Sequence, residues 1–265
     1  VIAFKGAFHG RTSGAVAATD NKNIVSPFNS LHQITFVQMN DLDTVEKELS
    51  AGDCAAVVIE GIQGVAGIHE PKKEFLEDLF SITKKYKALL IIDEVQSGTG
   101  RTGKFFAHQH TSVRPDIIAI AKGIGNGFPV GGILLSGEIQ PKKGMLGSTF
   151  GGNHLACAAA TAVLEIIVDE KLMERAESIG NYLIKGLADI KNGCGSGKIK
   201  EIRGRGLMIG VEMEPEYASV REKLLSEGKI FTGQSGSNVI RLLPPLTIGK
   251  SEADLFLESF KKLLA

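Results

Sequence analysis

Three short apolar runs, each ending in a polar residue able to do chemistry, constrain this chain more than any other feature. Ala55-Ala56-Val57-Val58-Ile59 runs into Glu60, Ala88-Leu89-Leu90-Ile91-Ile92 into Asp93, and the run that starts at Asp116 and ends at Ala121 into Lys122. A short apolar run without polar alternation reads as a strand buried on both faces. Between the first two strands, residues 74–87 place Phe75, Leu76, Leu79, Phe80 and Thr83 at helical spacing, which predicts a helix with one apolar face. Buried strands joined by helices imply a parallel α/β sheet, to which residues 130–136 add a fourth strand. Such sheets bind ligands beyond the carboxyl ends of their strands, where Glu60, Asp93 and Lys122 all stand.

Downstream, an Ala-rich helix is predicted over 155–168 and a second over 171–190, followed by a glycine-rich loop over 192–197. Strands over 207–213 and 239–243 and helices over 217–227 and 251–264 complete an α+β tail. The expected division is a large domain over 1–171 and a small C-terminal domain over 172–265. The chain opens on the strand-like run Val1-Ile2-Ala3-Phe4 without an initiator Met, so it is expected to enter the large domain partway through.

Composition narrows the function classes. Thirty basic and thirty acidic residues cancel, which gives no electrostatic reason to expect nucleic acid or an anionic membrane as partner. No apolar run is long enough to span a bilayer. Cys54, Cys157 and Cys194 are too few and too scattered for a disulfide framework or a metal cluster, and the histidines lack ligand spacing. A reducing, cytoplasmic setting without a bound metal is the expectation.

Asp93 and Lys122 carry the chemistry. A carboxylate at the end of a dry strand calls for a cationic partner, and the pyridinium nitrogen of pyridoxal 5'-phosphate is one. Taken alone, Asp93 reads as a turn cap and Lys122 as a lysine reaching for solvent. Together, on successive strands of one sheet, they match what that cofactor needs: an amine for its aldehyde carbon and an acid for its ring nitrogen. Phe8-His9-Gly10-Arg11-Thr12 follows the opening strand, offering Phe8 to stack on a ring and Arg11 to grip a carboxylate, or simply a core aromatic and a surface charge. Ser148 and Thr149, in Ser148-Thr149-Phe150-Gly151-Gly152-Asn153, suit either a phosphate contact or a helix cap. Arg241, set among apolar residues, suits an anion ligand or a structural ion pair.

These motifs, with Glu60-Gly61-Ile62-Gln63-Gly64, the run from Asp93 to Gly103 and Arg203-Gly204-Arg205-Gly206-Leu207, give the chain its resemblance. It resembles the class III (ω-amino acid type) pyridoxal-phosphate aminotransferases, most closely the acetylornithine/ornithine aminotransferase group. The resemblance implies the fold type I of pyridoxal-phosphate-dependent transferases: a mostly parallel central sheet flanked by helices, plus a small α+β C-terminal domain. It also implies a homodimer with shared active sites. Lys122 would hold the cofactor covalently and move the proton, and Asp93 would face the ring nitrogen. Phe8 and Val95 would pack on the ring's two faces, Gln96 would meet its 3'-oxygen, and Glu94 belongs to the same cofactor-binding run. Thr149 would serve the phosphate of the neighbouring subunit's site, with Ser148 beside the substrate. Arg11 and Arg241 would hold the carboxylates of the amino donor and the keto acid.

The implied activity is transfer of an amino group from N-acetyl- or N-succinylornithine to 2-oxoglutarate in arginine biosynthesis. A sibling acting on ornithine, GABA or another ω-amino acid is the alternative. An inactive, cofactor-free dimerising fragment is the alternative of another class, because the family's upstream phosphate loop does not appear in this sequence. Two substitutions depart from the family pattern. Val65 stands where a Glu usually pairs with the arginine matching Arg241 and gates it, and Gly61 stands where Pro is usual.

Overall fold

The computed structural model describes residues 1–145 and 147–265. In chain order its elements are β1 (Ile2–Phe4), α1 (Ser13–Ala17), β2 (Thr35–Val37), α2 (Leu42–Ser50), β3 (Ala56–Glu60), α3 (Lys73–Lys85) and β4 (Leu89–Asp93). There follow β5 (Ile117–Ile120), β6 (Gly132–Leu135), α4 (His154–Asp169), α5 (Leu172–Asn192), β7 (Ile199–Arg205) and β8 (Met208–Met213). The chain ends with α6 (Val220–Ser226), β9 (Gly233–Ser235), β10 (Val239–Leu242) and α7 (Lys250–Leu264).

The first six strands form one sheet in the order β2-β1-β3-β4-β5-β6. The first five are parallel, as the apolar runs predict; β6 returns antiparallel to β5 along the edge. Ile2, Phe4, Val57, Ile59, Leu90 and Ile92 form the core of this sheet, with Phe75, Leu76 and Leu79 of α3 laid over it. Phe4 meets Phe75 edge to face at 5.8 Å. Each such side chain taken fully out of water contributes about 1.5–3 kcal/mol before the entropy of ordering it. Asp116 stands at the head of β5, its N–H donating to Leu90 O at 2.9 Å and its O accepting from Ser136 N–H at 2.8 Å. Its carboxylate accepts from the backbone N–H of Leu90 at 2.8 Å and from Lys84 Nζ at 2.5 Å, pinning β4, α3 and β5 together at the end away from the site.

The second sheet is antiparallel throughout, in the order β7-β8-β10-β9, with its own core of α5, α7 and the strands, including Leu183, Leu187, Ile209, Val211, Ile240 and Phe260. The sequence pattern does not predict β7: Lys200, Glu201, Arg203 and Arg205 make it polar, because it is an edge strand with one face to solvent. Also unpredicted are α1 and the three-residue strands β2 and β9, which are too short for a period to show, and α2, whose Asp41 cap and Val45/Leu49 spacing did carry a signal. Gly206 lies in the turn between β7 and β8, which packs against the loop after β4. Its φ is +55°, α5 comes so close that a side chain on Gly180 would collide with its carbonyl, and Leu207 N–H donates to Arg101 O at 2.9 Å.

Candidate active site

The order of the large sheet reverses at β1, which leaves β2 on one side and β3 on the other, so the loops leaving β1 and β3 diverge and open a crevice. A cavity of about 100 Å³ sits there. Phe8, His9 and Gly10 enter it from the loop after β1, and Glu60 and Val65 from the end of β3 and its loop. Asp93, Val95 and Gln96 come from the end of β4, and Lys122 from the end of β5. Four parallel strands thus deliver their carboxyl-end residues to one place.

Asp93 is held rigidly. Its Oδ1 accepts from Val95 N–H at 3.0 Å and its Oδ2 lies 2.8 Å from His9 Nδ1, with both side chains largely buried. That contact orients the imidazole and leaves His9 Nε2 buried without a partner. Gln96 Oε1 is also buried and unpartnered. Two orphaned polar atoms on residues that line a cavity beside Phe8 suit a planar, polar ring, since buried polar groups ordinarily find partners. The residues present therefore fit the ring of pyridoxal phosphate.

Lys122 adopts φ +49°, a backbone state uncommon outside glycine and asparagine, at the start of a single helical turn over Lys122–Gly125. It is exposed, which agrees with the reading of a lysine that reaches for solvent from the end of its strand. It stands on the rim shared by the small cavity and an adjoining cleft of about 410 Å³, and among the described residues no carboxylate pairs with its amine. Asp93 and Lys122 line the same cavity.

Other expected site residues lie elsewhere. Glu94 turns away from the cavity. Its carboxylate accepts from Ala107 N–H, His108 N–H, His108 Nδ1 and Ser97 Oγ at 2.6–3.0 Å, so its oxygens are spent on holding the following loop, which corrects the expectation of a cofactor contact through that side chain. Arg11, Ser148 and Thr149 are exposed and do not line the cavity. The helix cap foreseen for the hydroxyls is supplied by Asn153 instead, whose Oδ1 accepts from Ala156 N–H at 3.0 Å.

Arg241 lies behind one wall of the cavity, in mid-β10 opposite Gly210 and Gly233. It makes no ion pair among the described residues. Its Nη1 donates to Gly64 O at 3.1 Å, its Nε is buried unpartnered, and desolvation lowers its pKa. The same loop is gripped twice more from the small sheet: Ser235 Oγ donates to Val65 O, and Arg203 Nε to Gly67 O at 2.8 Å.

Two residues of the site carry no assigned role in the sequence reading. His9 stands beside Phe8 in a quoted motif, and only its contact with Asp93 reveals its part. Glu60 shows the same signal as Asp93, an apolar run ended by a carboxylate, and could have been found by it.

Comparison with known proteins points the same way. The sequence profile of the family described as aminotransferase class-III matches residues 1–264. The acetylornithine aminotransferase of Aquifex aeolicus is 41% identical over 99% of this chain and 68% of its own length. That of Methanopyrus kandleri is 43% identical over 96% of this chain and 64% of its own. A crystal structure of the ornithine aminotransferase of Toxoplasma gondii superimposes with a TM-score of 0.90 at 32% identity, covering 99% of this chain and 64% of that one. The chain thus spans about two thirds of the length of these relatives.

Proposed function

The chain belongs to the class III aminotransferases, and from that membership we propose that it transfers the ω-amino group of an N-acylornithine to 2-oxoglutarate. Pyridoxal 5'-phosphate is the cofactor of this family. When bound, it supplies an aldehyde that takes up the amino group and a ring that spreads the electron pair left when a proton is removed.

The residues of the chain would do the rest. Lys122 holds the cofactor and, once released, moves the proton; its place on the rim leaves the amine free to swing. Asp93 would face the ring nitrogen, with His9 and Val95 N–H fixing its angle. Phe8 and Val95 pack on the ring, and the amide of Gln96 meets its 3'-oxygen. Arg241 takes the keto acid's carboxylate by giving up Gly64 O, and Arg11 takes the donor's. Ser148 and Thr149 serve the substrate and phosphate across a dimer interface. The exposure of Ser148, Thr149, Phe150 (79%) and Leu155 (70%), at and just before the start of α4, supports a second copy packed against this segment. Residues 1–171 and 172–265 would be its large and small domains, each built on one of the two separate cores.

The observation that carries this reading is the single cavity shared by Asp93 and Lys122. A donor panel with 2-oxoglutarate tests it. The expected result is a clear preference for N-acetyl- or N-succinylornithine over ornithine and GABA. Equal or better turnover of free ornithine would favour the sibling activity, and the likeness to an ornithine aminotransferase keeps that reading in play. A protein that binds no cofactor at any concentration would contradict both. On this reading the enzyme would serve arginine biosynthesis, and the few, scattered cysteines favour a reducing, cytoplasmic setting.

A further inference from the structure

Glu60 lies at the end of β3, directly opposite Asp93 in the register of β3 and β4. Its Oε1 accepts from Phe8 N–H at 3.0 Å and its Oε2 from Gly64 N–H at 3.2 Å. No lysine or arginine pairs with it among the described residues, so its charge is spent on two backbone amides. Gly64 in turn offers its carbonyl to Arg241. We propose that Glu60 is a positioning residue that straps the segment carrying the ring-stacking Phe8 to the segment that carries Val65 and docks Arg241. This rests on the aminotransferase reading above for its consequence in catalysis, though not for the strap itself.

The strap needs both oxygens as acceptors. An ionised carboxylate offers them. A protonated carboxyl commits one oxygen to its own hydrogen, which would point at an amide hydrogen, so one bond weakens. Glutamine has a single acceptor oxygen and likewise cannot serve both amides. The charged groups that face Glu60 are His9 beside Phe8, Asp93 on β4, Lys122 after β5 and, beyond Gly64, Arg241. Desolvation chiefly lifts the Glu60 carboxyl to about 7; the two amides and His9 oppose the lift and Asp93 adds to it. The strap is therefore closed above about pH 7 and loosens below it.

Two measurements test this. In the cofactor-free chain, the amide resonances of Phe8 and Gly64 are followed by NMR across a pH titration. Both are expected to move with one shared midpoint near pH 7, and Glu60→Gln is expected to abolish the movement. Amides that stay still, or that titrate apart, overturn the proposal. In the second, pyridoxal phosphate is titrated in by absorbance. Glu60→Gln is expected to bind it about tenfold more weakly than the parent at about pH 8, with the gap closing near about pH 6. A gap independent of pH marks a merely structural role and overturns the proposal. If neither protein binds the cofactor, the aminotransferase reading fails while the amide titration still decides the strap.

Discussion

The parallel sheet gives the cavity its side chains, whereas the antiparallel sheet gives it hydrogen bonds to backbone. Phe8, Glu60, Asp93 and Lys122 reach the crevice because parallel strands all end on one side. No residue of β7 to β10 lines that cavity, yet Arg203, Ser235 and Arg241 hold the carbonyls of Gly67, Val65 and Gly64. On the proposed reading, chemistry sits on one sheet and the shape of one wall on the other. Substitutions in the first should therefore cost rate or cofactor, and those in the second should cost substrate affinity.

The sharpest form of that contrast is Lys122→Ala. Removing the proposed attachment point and proton carrier is expected to lower kcat on the order of 10³-fold or more and to abolish the visible absorbance of the loaded protein. Steady-state assay and spectrum check both; an active alanine variant would break the division. Asp93→Asn keeps the shape and removes the charge, and should cost on the order of 10²–10³ in kcat with the fold retained.

Gly64→Ala probes the seam. A Cβ there would lie 1.4 Å from Gln96 Oε1, so the amide must swing out of the wall. Cofactor affinity should fall about tenfold while the melting temperature changes little, since the displaced atoms are the end of a flexible side chain. Ser235→Ala removes only a bond to Val65 O from the small sheet. A rise in KM for the keto acid of about threefold to tenfold with kcat unchanged is expected. If kcat falls instead, the small sheet takes part in the chemical step and the contrast fails.

The smallest effect is on stability. Folding lifts the Glu60 carboxyl from 4.5 to about 7, so over that interval the folded chain keeps a proton that the unfolded chain has released. Stability from this group is full below pH 4.5 and declines as pH rises towards 7, by on the order of 1–3 kcal/mol. Thermal melts of the parent and Glu60→Gln across this range should differ in slope, the variant lacking this decline.

Sequence alone made the parallel sheet legible because burial on both faces leaves an unbroken apolar run, and the residue that ends the run announces itself. Asp93 and Lys122 were readable for that reason. Residues of β7 were not, because an edge strand rich in charge has no such signature. Nor could Glu94 be separated from its neighbours Asp93 and Val95: whether a carboxylate faces a cavity or the loop behind it depends on His108 and Ala107, which join it only in the fold. The hold of Arg241 on Gly64 O spans 177 residues and leaves no local pattern at all.

The account depends on the Lys122 amine meeting the cofactor over Asp93. Reducing the cofactor-loaded protein with borohydride, digesting it and mapping the added mass tests this most directly. The label is expected on the peptide containing Lys122 and to disappear from it in Lys122→Ala. A label on any other lysine, with Lys122 unmodified, would contradict the site.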